Sequence, residues 1–228
     1  MKPIRFAAAA ARAVWRVAPA GLVAFALSVA SVHAQGAAPA AGAAAPASAP
    51  VDPLTVPGAL PDIVEGSPAA AITIIEYASM TCSHCAEFHE QTWPLLKAKY
   101  VDTGKAKFIL REFPLDPLAA AGFMVARCAG PDKRDAVIDR LFAQQNNWAF
   151  VAAPIDSLLA QVKQAGMSQS DFEACLNNRE LYDSVKKTRD AAARLAVVST
   201  PTFFVNGRKL DGALTIAEFD QVLQPLLK

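Results

Sequence analysis

Cys82 and Cys85 stand two residues apart in the stretch EYASMTCSHCAEFHE, residues 76–90. A pair at this spacing can hold a metal, carry a haem, form a fixed bridge, or exchange electrons through a reversible disulfide. Zinc takes about four ligands. Beyond the N-terminal leader the chain has only His84 and His89 to add, and the other cysteines, Cys128 and Cys175, lie far along the sequence. Covalent haem attachment wants His directly after the second cysteine, and Ala86 stands there. A bridge across one helical turn closes too short a loop to stabilise the fold much. Thiol–disulfide exchange remains, with neither metal nor cofactor required, because the two sulfurs are themselves the redox group.

Exchange needs one sulfur as a reactive thiolate, so the surrounding elements matter. Ala71 to Ile75 is short, β-branched and nearly continuously apolar, the pattern of a strand buried on both faces. The next segment carries Phe88, Leu95, Leu96 and Tyr100 at helical spacing, with Thr81 as its expected cap and Pro94 as an expected kink. Cys82 then falls where a strand meets a helix N-terminus, and unpaired N–H groups and the helix dipole there favour an anion. His84, next to Ser83 between the cysteines, adds positive charge when protonated. Cys85, one turn deeper, is placed to resolve a mixed disulfide formed at Cys82. His89 reads as a helix-surface residue.

The second strand is Lys107 to Phe113, parallel to the first through a βαβ crossover. Helical patterns follow over Leu118–Ala129, Lys133–Gln145, Ile155–Gln164, Asp171–Leu176 (capped by Ser168) and Glu180–Ala196. Thr202 to Val205 resumes the β pattern, Asn206-Gly207 turns it, and Arg208 to Leu210 returns. Thr215 to Leu227 closes the chain as a helix. The expected fold is α/β, a small mixed sheet with helices on its faces and a block of helices inserted over about 115–197. Cys128 and Cys175 both fall in that block. In an oxidising compartment they are expected to form a structural bridge, with two buried free thiols the alternative.

Residues 1–34 read as a cleaved export signal, with Lys2, Arg5, Arg12 and Arg16 before an apolar run and a Val32-His33-Ala34 cleavage pattern. Without those four cations the formal net charge of +1 becomes −3, a balance that gives no support for nucleic-acid binding. Residues 35–61, rich in Ala and Pro, read as a flexible linker, and 62–228 as the folded domain.

AITIIEY, CSHC, KFILREFPLD, the helical insertion and TPTFFVNG together resemble the DsbA-like thiol–disulfide oxidoreductases of bacterial envelopes, a thioredoxin-like fold with an inserted α-helical domain. The resemblance covers about residues 62–228. It implies a cis Thr200–Pro201 peptide beside the active site that helps bind the substrate chain. It also implies that Glu76 is a buried acid assisting proton transfer at the deeper cysteine. The implied activity is a periplasmic monomer donating its Cys82–Cys85 disulfide to unfolded exported proteins, reoxidised by a DsbB-type membrane partner. Ser83 and Thr200 depart from the best-known member, which has Pro and Val at those places. A reductase or isomerase therefore stays open as an alternative, as does a non-catalytic peptide- or metal-binding module.

Overall fold

The computed structural model describes Asp52, Val56 and residues 58–227. The expected leader and most of the expected linker lie outside the described residues.

The centre of the fold is β2 (Ile72–Ala78), whose seven residues are all buried. Alternation along a strand sends neighbours to opposite faces. Ile72, Ile74 and Ala78 join the larger core, while Ile75 and Tyr77 join a smaller one on the other side. Glu76 shares the face of Ile74 and Ala78, so the strand's periodicity alone carries a carboxylate into the larger core. β3 (Ala106–Glu112) runs parallel to β2, and β4 (Thr202–Val205) antiparallel on its other side, with Glu76 opposite both Leu110 and Phe203. Asn206 and Gly207, both at positive φ, turn the chain into β5 (Arg208–Asp211). The sheet is completed by β1 (Ile63–Glu65), antiparallel to β3, giving the order β1-β3-β2-β4-β5. Three residues are too few to show a β pattern in sequence, and this strand was not expected.

The helix after β2 departs from expectation in two ways. α1 (Ser83–Glu87) has Cys82 itself at the N-cap, and Thr81 instead donates its hydroxyl to Asp116 at 2.5 Å. Around Pro94 the helix is broken into short segments. A π-helical turn over Phe88–Thr92 precedes α2 (Trp93–Leu96), and a second, Lys97–Val101, follows it. Pro94 thereby sits in the first turn of α2, where a missing N–H costs little. The π turn also widens the buried face, so Phe88 and His89 both point inward. Phe88 packs against Phe203, Phe219 and Phe108 at ring distances of 4.7, 5.9 and 6.3 Å.

The insertion consists of α3 (Pro117–Cys128), α4 (Pro131–Ala143), α5 (Gln145–Trp148), α6 (Pro154–Lys163), α7 (Gln169–Leu176) and α8 (Arg179–Ala192). Asp116, Ser168 and Asn178 cap α3, α7 and α8 with side-chain oxygens. Cys128 and Cys175 are joined by a disulfide of 2.09 Å that ties the end of α3 to α7. α9 (Ile216–Leu223) begins with a capping box between Thr215 and Glu218 and returns to the sheet.

The end of the stretch expected to be a flexible linker is anchored where it is described. Buried Arg111 donates to the Val56 carbonyl at 3.0 Å, to Tyr77 at 2.9 Å, and to Asp62 through two nitrogens. Arg127 donates to the Pro61 carbonyl at 2.8 Å.

The ring cluster around Phe88 joins the helix that carries the cysteines to the sheet. Phe88→Ala should destabilise the chain by about 3–5 kcal/mol in urea unfolding. A loss below about 1 kcal/mol would show that the cluster collapses around the gap.

Candidate active site

Cys82 occupies the junction between the loop after β2 and the start of α1, with an extended backbone (φ −84°, ψ 118°). No side chain caps this helix end. The helix therefore begins with free N–H groups around a sulfur, the arrangement its sequence position called for. Cys82 and Cys85 are both reduced and both buried. The Cys82 thiol donates to the Thr200 carbonyl at 3.3 Å, and Thr200–Pro201 is a cis peptide. The insertion reaches the same loop. Buried Gln145, at the start of α5, donates its amide to the carbonyls of Met80 and Cys82 at 2.9 and 3.0 Å. Asp116 grips Thr81 and caps α3 at once. Sequence reasoning missed both residues. Asp116-Pro117 carries a recognisable helix-start pattern, whereas Gln145 has no local signal.

The two sulfurs have opposite electrostatics. Cys82 titrates at about 5, down from an ordinary 9.0. The largest cause is the Cys85 thiol, which donates to the Cys82 thiolate; partial burial works against it. The Thr200 side chain also favours the thiolate, as do the backbone N–H groups of Cys85 and His84. Cys85 moves well above 9.0, first because it is buried, then because it donates to Cys82 and faces the Glu76 charge. One sulfur is thus held as an anion and the other as a neutral donor.

The expected tuning residues divide. Ser83 and His84 are exposed, and the His84 ring pairs with Glu87 at 3.3 Å, so what reaches Cys82 from His84 is its backbone N–H. Glu76 is fully buried and accepts from or donates to His89 Nε2 at 2.9 Å, depending on which group holds the proton. His89 is therefore not a surface residue. The π turn and the four-residue spacing from Cys85 put it on the helix's inner face. Cys128 and Cys175 lie in the insertion, apart from this constellation.

A cysteine pair at a strand–helix junction, facing a cis-proline loop, is the dithiol site of a thioredoxin fold. Residues 59–225 match the family model described as Thioredoxin. A Rickettsia conorii protein named for protein-disulfide oxidoreductase activity is 33% identical over 149 residues, covering 64% of this chain and 53% of its own length. The chain thus spans about half the length of the curated relatives it matches. Among solved structures, alpha-DsbA1 of Wolbachia pipientis superposes with a TM-score of 0.69 at 30% identity, covering 74% of this chain and 92% of that one. A protein-disulfide isomerase from Novosphingobium aromaticivorans shares the fold, with a TM-score of 0.65 at 24% identity over 74% of this chain and 100% of its own. The chain belongs to the DsbA-like thioredoxin family.

Ionisation of Cys82 couples redox state to stability. Its titration is depressed on folding, so the thiolate adds stability in full above about pH 9 and loses it as pH falls through about 5. Cys85 is displaced upward and acts only above that window, in the opposite sense. The disulfide form has no such group. Urea unfolding of both forms between pH 5 and 9 should therefore show the reduced chain gaining on the oxidised one as pH rises. A constant difference would mean that the fold does not favour the thiolate.

Proposed function

We propose that this chain is an exported thiol–disulfide oxidoreductase of the periplasm that donates its Cys82–Cys85 disulfide to newly exported proteins. The observation that carries the reading is the opposed electrostatics of the pair. A charge stabilised on Cys82 exists only in the reduced form, so whatever stabilises it drives the protein toward accepting electrons. The leader at 1–34 and the names of the relatives support export and disulfide chemistry. Among the described residues no helix is long and apolar enough to cross a membrane.

In the reaction a substrate thiolate attacks the sulfur of Cys82, 9% exposed where Cys85 is 0%, and Cys85 leaves. A second substrate thiolate then attacks the substrate sulfur of the mixed disulfide and releases Cys82. The Thr200 carbonyl lies against Cys82, and backbone at that place can pair with an extended substrate segment. Val198, 82% exposed two residues earlier, supplies apolar contact for unfolded chain. Reoxidation falls to a membrane partner of the DsbB type, and the chain acts as a monomer.

Equilibration with a glutathione buffer should give a potential more oxidising than about −180 mV, and the oxidised chain should convert a two-cysteine peptide to its disulfide. A potential near about −270 mV would make the protein a reductase instead.

A further inference from the structure

His89 is the buried side chain that this mechanism leaves unused. Its side chain is 3% exposed and that of Glu76 0%, and their 2.9 Å contact lies in the sheet-facing core next to Cys85. The ring stacks on Phe142 of α4 at 4.1 Å and meets Phe88 edge-on at 5.2 Å, which fixes its plane. Glu76 Oε1 and His89 Nδ1 are each buried without a hydrogen-bond partner. Each group thus has one atom engaged with the other and one atom spare. Such orphans are rare in a folded core, and a catalytic role is one of the few reasons for keeping them.

The charged groups facing His89 come from every packed element. Cys85 and Glu76 lie on the inner side, from α1 and β2. Glu65 at the end of β1 and Asp139 on α4 feel the His89 charge from the outer side, and Asp135 and Lys97 lie beside them. Glu65 is pushed up to about 7, mainly by burial and then by Asp135. Asp139 is on the surface.

We propose that His89 is a positioning residue for proton transfer at Cys85, holding the Glu76 carboxyl in place. This rests on the redox reading of the Cys82–Cys85 pair. When a substrate thiolate attacks Cys82, the Cys82–Cys85 bond breaks and its electron pair stays on Cys85 sulfur. Cys85 cannot keep that charge, and takes a proton from the Glu76 carboxyl. His89 returns a proton to Glu76 and regains one from solvent. Cys82 later departs as a thiolate and takes none. Two electrons pass from the substrate dithiol to the enzyme; one of the two substrate thiol protons is balanced by the one on Cys85, and the other goes to solvent.

The test is stopped-flow reduction of the oxidised full chain by dithiothreitol between pH 5 and 9, normalised to the reagent's thiolate, for wild type and His89→Gln. Glutamine can still hydrogen-bond Glu76 but cannot carry a proton. Its rate should fall by at least about tenfold near neutral pH, with a pH profile different from wild type. Equal rates with the same profile would overturn the proposal while leaving the redox reading intact; no exchange by wild type would overturn the redox reading instead. A second measurement needs no variant. The ring-nitrogen signals of His89, followed by nuclear magnetic resonance, should shift between the oxidised and reduced chains, and signals unchanged across that pH range would also overturn the proposal.

Discussion

Two sulfurs one helical turn apart cannot both be charged in this site. Cys82 sits where a helix opens, with N–H groups, the Thr200 hydroxyl and the Cys85 thiol all able to donate to it. Cys85 is one turn further into the core, in a place with no room for solvent and with a carboxylate nearby. The same helix turn that brings the sulfurs close enough to bond gives them opposite environments. Everything else in the structure either maintains that asymmetry or uses it.

The sheet maintains it from below. Because β2 is central, its Glu76 is enclosed by β3 and β4 and meets His89 at 2.9 Å. The insertion maintains it from above. Gln145 donates to the Met80 carbonyl, a bond whose loss would cost about 1–3 kcal/mol, and adds a third bond to the Cys82 carbonyl, which also accepts from the Cys85 and Ala86 N–H groups. Asp116 fixes Thr81 while starting α3. The helical block is thus tied to the chemistry through hydrogen bonds to the loop as well as through packing. Its Cys128–Cys175 bridge holds α3, which starts at Asp116, to α7.

Much of this was legible in the residues. The Cys-x-x-Cys spacing, the buried strand before it and the Asn206-Gly207 turn are local signals with local causes, and the βαβ unit follows from them. The residues that were misread or missed depend on longer-range or subtler geometry. His89 lies four residues after Cys85, a spacing that places both on one face, but a stripe of Phe88, Leu95, Leu96 and Tyr100 drew the inward face elsewhere. The π turn at Phe88–Thr92 widens that face, and nothing in the composition of FHEQT announces it. Gln145 meets Cys82 across 63 residues, so only the folded chain brings them together. β1 is fixed by pairing with β3 rather than by its own three residues. Thr81 looked like a cap because hydroxyls cap helices, yet its hydroxyl serves Asp116 and leaves the helix end to the sulfur.

The account stands or falls on charge at a single sulfur. Thiolate absorbance of the reduced chain, followed across pH, measures that charge directly. One thiolate should appear with a midpoint near pH 5, and no second one below pH 9. Two sulfurs ionising together near pH 9 would contradict it, because the helix terminus and its neighbours would then contribute nothing to the reactivity of Cys82.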